Sequence, residues 1–364
     1  MTTETALKGG RGEAGTSMAA ARSAFRRPPL AVPLSVGLVM VALVVNVAVG
    51  PYDIAWSHIV AEILDHLPLV HLSSDLSEQQ QVILWQWRLP RAVLGGLVGA
   101  ALSLSGATYQ GVFRNPLADP YLLGVAAGAG LGATIVITGH LEMGWGPIDT
   151  VAGGAFLGAL VGVSLASILG RGPGSAPATL LLAGVAVASF LTALQTYLVQ
   201  RNDDTLREVY TWILGRLGTS GWNDVGLLGP YVVVCGAVIL IHGRHLDVLR
   251  LGDAEASSLG VDPRRVRLVL VVAASLLAAA AVSVSGLISF VGIVVPHLVR
   301  LLVGSSYRVV LPLSALGGAA FLMLADLVAR SVASPAEVPI GVITAFVGAP
   351  FFGLVLWTSR RSLA

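Results

Sequence analysis

Cysteine is almost missing. Cys235 stands alone, which excludes an intrachain disulfide and any cysteine-cluster metal site; in its apolar run it reads as a small core residue. Lysine is nearly absent too. Lys8, in the context TALKGG, is the one lysine of the chain, so no GxxxxGK[ST] loop exists and the chain has no means of binding and hydrolysing ATP by itself. HExxH is absent, as is any serine or cysteine catalytic set, so the sequence is not read as an enzyme and no cofactor is expected on it. Charge is scarce, at 12% of residues against about 25% in a soluble domain. With 55% hydrophobic residues, this is an integral membrane protein, with lipid as its main surroundings. A net charge of +2 without a basic block excludes a nucleic-acid partner. The long apolar runs also lack a midplane carboxylate or histidine, which an ion-coupled carrier ordinarily needs; His297 beside Pro296 reads as packed at a kink.

What remains is apolar runs punctuated by glycine, 43 in all, which suits close helix packing in a bilayer. Residues 1–27 are rich in Gly, Ala and Ser, end in Arg22, Arg26 and Arg27, and read as a disordered cytoplasmic tail. The run 28–52 is long enough for a bilayer core of ~30 Å, which takes ~20 residues. It lacks a clear cleavage site, so it is a retained first span. Further charge-free runs fall at 92–113, 120–141, 150–170, 172–200, 225–243, 268–299, 309–325 and 338–359. Gly286 and Pro296 divide 268–299 into a span ending near Ser285 and a shorter one at about 290–303. That gives ten spans within a permease-like body of residues 28–360. With both termini inside, sixteen basic residues fall on inner segments and six on outer ones, as the positive-inside rule requires.

The most polar interval of the second half is LDVLRLGDAEASSLGVDPRRVRL, 246–268. Gly252 and Gly260 are helix-ending residues, Asp253 reads as an N-cap with Glu255 in the first turn, and Asp262-Pro263 as a second N-cap with proline at N1. Two short helices on a hinge follow, carrying Arg250, Arg264, Arg265 and Arg267. This is either an ordinary solvated loop or a folded knob built to be gripped. In the inner loop at 106–133, Pro116 and Pro120 prevent a continuous helix, and Asn115 and Asp119 before them favour turns. The loop is either a plain helix hairpin or the lining of a narrow passage. Arg88, Arg91 and Arg330 lie on the outer side against the positive-inside trend, as headgroup anchors or as a docking site for an acidic partner. Asp326 and Arg330, one helical turn apart, are a candidate pair. Thr192, Gln195, Thr196 and Gln200 are the polar positions of the fifth span. Ser103-Leu104-Ser105-Gly106 recurs as Ser283-Val284-Ser285-Gly286, with a proline ten residues after each glycine, five spans apart; an odd separation inverts the second copy, a transporter signature.

These motifs together resemble the permease subunits of type II ABC importers, the FecCD family that moves iron-siderophores, haem and vitamin B12. The resemblance runs from about Val82 to Leu356. It is carried by RLPR (88–91), the 106–133 stretch, LLLAGVAVAS (180–189), LGDAEASSLGVD (251–262), GLISFVGIVVPHLVR (286–300), LADLVAR (324–330) and EVPIGVITAFVGAPFF (337–352). It implies an all-α membrane protein with ten transmembrane helices per subunit, helices 2–5 repeated in inverted form as 7–10, and cytoplasmic termini. It further implies a second, identical permease subunit, two ATPases holding ATP and magnesium at the cytoplasmic face, and an extracytoplasmic binding protein. Coupling helices at 246–262 would meet the ATPase through Leu251, Gly252, Asp253, Ala256, Leu259 and Gly260. Asn115, Pro116 and Leu117 would lie at the cytoplasmic gate; the partner gate loop reads Gly174 to Ala178, and no gate residue is assigned on it. Thr192, Gln195 and Thr196 would line the pore, and Arg88, Arg91 and Arg330 would receive the binding protein. The expected setting is the inner membrane of a prokaryote, the alternative an ion-coupled secondary transporter.

Overall fold

Apolar runs built from Ala, Leu, Val and Gly satisfy their backbone polar groups internally as helices, the form a lipid surrounding demands. In the computed structural model every regular element of the described residues is helical. Those residues are 28–50, 52, 54–65, 76–141, 149–170, 177–218 and 221–361. The predicted tail at 1–27 and Gly174, Ser175 and Ala176 of the fourth-to-fifth loop lie outside them.

In chain order the helices are α1 (Pro28–Ala48), α2 (Trp56–Asp65), α3 (Glu78–Val82), α4 (Leu89–Val112), α5 (Val125–Thr138), α6 (Thr150–Leu169), α7 (Pro177–Arg201), α8 (Leu206–Ile213), α9 (Trp222–Ile241), α10 (Gly243–Leu249), α11 (Asp253–Ser258), α12 (Pro263–Ser285), α13 (Val291–Val303), α14 (Tyr307–Ser331) and α15 (Ile340–Arg361). A capping box between Ser77 and Gln80 opens α3, and a wide turn at Ile83–Arg88 carries the chain into α4. Seven stretches are long and apolar enough to cross a membrane, and α5, α13 and α15 are shorter apolar helices. They occupy the ten stretches read as spans. The run 268–299 breaks where proposed, because Gly286 adopts φ +69° after Ser285.

Burial sorts the long helices into two groups. The apolar windows of α3–α4, α12 and α14 are 61–78% buried and form the interior, whereas those of α1, α6, α7 and α9 are only 22–33% buried and form the wall. Close approach rests on glycine. A Cβ on Gly99 of α4 would stand 2.1 Å from the Gly318 carbonyl oxygen of α14, and one on Gly128 of α5 2.2 Å from that of Gly158 of α6. Small residues of this kind let backbones touch where lipid supplies no hydrophobic drive.

The two Ser-x-Ser-Gly copies do not share a backbone setting. Gly106 lies inside α4, pressed against the backbone of Gly292, while Gly286 ends α12. Their prolines differ likewise: Pro116 is in a loop and Pro296 inside α13. Three matching letters in four therefore mark two different jobs, a close crossing and a helix stop.

Candidate functional site

The polar interval folds as a knob. Leu246 and Leu249 of α10 are fully buried, with Leu246 seated where a Cβ on Gly111 would meet it at 2.8 Å. Asp247 accepts from the Tyr307 backbone N–H and the Ser306 hydroxyl, both at 2.8 Å, so it caps α14 from a neighbouring element. Arg250 donates to the Ser305 carbonyl at 2.7 Å and lies 5.9 Å from the Tyr307 ring centre. Gly260, at φ +79°, closes α11: its N–H reaches the Ser257 carbonyl and that of Val261 the Ala256 carbonyl, a Schellman motif. Asp262 caps α12 through the backbone N–H groups of Arg264 and Arg265.

Two expectations for the knob need correcting. Asp253 is not the N-cap of α11. Gly252 holds that place at φ +135° without a side-chain bond, and Asp253 turns sideways to accept from Arg267 at 2.5 and 2.7 Å and from the Arg114 Nη2. Two guanidiniums outweigh one local backbone bond. The Asp253 carboxyl is accordingly held below its ordinary value, first by Arg267 and then by Arg114. Ala256, grouped with the outward-facing contacts, is fully buried as part of the main core. Leu251 and Leu259 do point outward, 63% and 61% exposed, an apolar pair on an otherwise polar knob.

The hairpin stands beside it. α4 ends with Arg114 in the left-handed region, φ +51°, with the same paired closing bonds, Arg114 N–H to Gly111 and Asn115 N–H to Gln110. Asn115 Oδ1 accepts from the Leu117 N–H at 3.0 Å and its carbonyl from Ala118 at 3.1 Å, so Asn115, Pro116 and Leu117 form a rigid turn with Leu117 exposed. The chain then re-enters the bundle. Asp119, by sequence a turn former and no more, is buried and caps the turn Pro120–Leu123 through the Tyr121 N–H at 2.8 Å. Tyr121 donates its hydroxyl to the Ile288 carbonyl at 2.9 Å and accepts from the Ile288 N–H at 3.1 Å. Only the Asp-Pro pair hinted at this; its burial comes from helices distant in sequence.

Beyond Tyr121 opens a cavity of about 430 Å³. Thr192, Gln195 and Thr196 of α7 all stand on its wall, which Tyr121 and Leu287 also line. Gln195 is buried against Gly130, while Thr192 and Thr196 are exposed. Phe190 and Tyr197 on the same helix are exposed as well.

At the far end of the bundle the outer arginines turn inward. The docking reading expects partly exposed guanidiniums, yet Arg88 and Arg330 are 6% and 8% exposed. Arg88 donates to the Val47 carbonyl at 3.1 Å, to that of Ala48 at 3.2 Å and to that of Tyr52; Arg330 donates to the Asn46 carbonyl. Both therefore satisfy the orphan carbonyls at the end of α1, where a cation is favoured. Arg91 grips Asp326 at 2.8–3.2 Å and Glu337 at 2.8 and 3.0 Å. Arg91 is thus the nearer partner of Asp326, with Arg330 at 3.6 Å.

A sequence profile described as the FecCD transport family matches residues 38–358. The cobalamin import system permease protein BtuC of Halobacterium salinarum is 46% identical over 281 residues, 77% of this chain and 75% of that protein. The hemin transport system permease protein HmuU of Yersinia pestis is 40% identical, over 75% and 82%, and the Fe(3+)-citrate import system permease protein YfmE of Bacillus subtilis 34% identical, over 92% and 97%. Among solved structures, one described as an inward-facing conformation of a metal-chelate type ABC transporter superposes with a TM-score of 0.79 at 29% identity, covering 91% of this chain and 99% of its own.

Proposed function

The chain belongs to the FecCD transport family, and from that premise we propose that it is the pore-forming permease subunit of an ATP-binding-cassette importer in a prokaryotic cytoplasmic membrane. In this reading the seven long and three shorter apolar helices make ten crossings in an inverted 2–5 and 7–10 repeat, with the knob and both termini in the cytoplasm. Two copies enclose the passage. Two ATPases hold ATP and magnesium and close against the knobs, while a loaded binding protein docks at the opposite end, where Glu337 and its partner Arg91 approach the surface. The chain supplies no chemistry; it is a two-state element biased from both ends.

The observation that carries this is the knob: buried Leu246 and Leu249 fix it to the bundle while Leu251 and Leu259 remain bare. Apolar side chains on a charged surface outside the spans have no lipid to meet, and an apolar patch rimmed by polar groups suits a protein partner. The relatives carry cobalamin, hemin and ferric citrate, so the cargo class proposed here is a bulky metal chelate, with iron chelates first. The cavity wall bearing Thr192, Gln195 and Thr196 offers neutral polar groups and no fixed charge, which lets such a cargo pass without being held. An ion-coupled carrier would need a buried carboxylate free to take up the ion, whereas Asp119 caps the turn at Tyr121 and Asp326 is held by Arg91.

The test is co-purification. Expressed with an ATPase encoded beside it, the chain should bring that ATPase through affinity purification in detergent, and the Leu251→Asp, Leu259→Asp double variant should not. Recovery of the wild-type chain without any ATPase under the same conditions contradicts the reading.

A further inference from the structure

Arg114 occupies a position where glycine is favoured. A left-handed backbone is uncommon for any residue with a Cβ, and such strain persists where surrounding contacts over-determine it, often at switches. The contacts here are specific. From its strained backbone, Arg114 donates Nε to the Leu249 carbonyl, the last residue of α10, at 2.7 Å, and Nη2 to Asp253, the first residue of α11. Asp253 is held from the other side by both terminal nitrogens of Arg267 on α12. One carboxylate therefore collects the hairpin, the knob and a central helix of the bundle.

Nothing in the folding of the knob requires the hairpin's share. α11 closes through Gly260, α10 is seated by Leu246 and Leu249, and Arg267 alone gives Asp253 two donors. The Arg114 contact links an element already held together to the turn that follows α4. On its far side the link continues without a slack joint. Asn115 follows directly and is locked into its turn by Leu117 and Ala118; Asp119 and Tyr121 then tie that turn to Ile288, beside the cavity.

We propose that Arg114, bonded to Leu249 and Asp253, is the joint that carries displacement of the knob to the hairpin Asn115-Pro116-Leu117, with Arg267 as its fixed side. Arg114 is a positioning residue: it touches neither cargo nor nucleotide. The inference rests on the importer reading, since something must push the knob. A continuous set of packed and hydrogen-bonded groups is the physical form such coupling takes, and coupling energies between sites ordinarily correspond to ~5- to 150-fold effects.

The experiment uses the full complex in liposomes, with Cys235→Ala and Leu117→Cys in the permease so that maleimide reactivity reports on the hairpin. In this background the labelling rate should change when ATP is added. Arg114→Gln should still co-purify with the ATPase and hydrolyse ATP, while uptake falls by roughly tenfold and the labelling rate no longer responds to ATP. Arg114→Lys, which keeps the charge but cannot fork to both acceptors, should fall between. Uptake and an ATP response equal to the parent in Arg114→Gln overturn the joint. Loss of ATPase binding by Arg114→Gln also overturns it, since the residue would then merely support the knob. Failure of the parent itself to bind an ATPase removes the importer reading instead, and is seen before any Arg114 variant is made.

Discussion

Asp326 shows how one carboxylate can carry more than its neighbours. It is 1% exposed, takes three bonds from Arg91, and lies within reach of Arg330 and the Asn46 amide. Removing one partner of a buried ion pair leaves charge uncompensated and costs about 3–5 kcal/mol. Glu337 binds the same guanidinium, but its side chain is 46% exposed, and an exposed pair contributes at most about 1 kcal/mol. Thermal unfolding in detergent should therefore show a large fall for Asp326→Ala and little change for Glu337→Gln; equal shifts contradict the placement. The local pattern led to Asp326 pairing with Arg330 one turn away, whereas its main partner is 235 positions distant, which no local spacing reveals. Asp253 escapes the local pattern in the same way: cap chemistry acts within one turn, whereas Arg267 lies 14 and Arg114 139 positions away. With the Asp253 carboxyl held below its ordinary 3.8, its ionised form contributes stability above the unfolded value and loses it only as pH falls through the lowered one. ATP hydrolysed per cargo imported should hence be flat from pH ~5.5 to ~8, a window above the carboxylate range. A transition inside that window in the wild type, absent from Asp253→Asn, would contradict the ionised clamp.

At the scale of elements, the knob was largely legible, because its boundaries are set by local backbone chemistry. Gly252 and Gly260 adopt positive φ and Asp262-Pro263 starts α12, as glycine and proline dictate wherever the chain goes. The break at Gly286 was legible on the same ground. Which way the knob's side chains point was not, since Leu246, Leu251 and Leu259 are the same residue type and only tertiary packing separates them. That separation yields a paired test. Leu259→Asp puts charge on an exposed site, so membrane insertion and thermal stability should survive while uptake and cargo-stimulated ATP hydrolysis are lost. Leu246→Asp buries the same charge and should destabilise the protein itself, by several kcal/mol. Wild-type uptake by Leu259→Asp would remove the knob's assigned role; matching thermal losses in the two variants would show that both leucines are structural.

For the molecule as a whole, composition established a helical membrane protein. Packing added what composition lacks: an interior of α4, α12 and α14, a lipid- or partner-facing wall, and arginines folded back onto α1. The knob and the arginine cluster lie at opposite ends of α4, as expected of a passage driven from one side and loaded from the other. The proposed passage would be powered by a separate ATPase acting through the knob. Uptake of a labelled iron chelate, hemin or cobalamin into proteoliposomes tests it most directly, with binding protein outside and with the ATPase either present or omitted. Uptake should occur only with the ATPase and internal ATP, and should be unchanged when proton and sodium gradients are collapsed. Uptake by this chain alone, driven by either gradient, would contradict it.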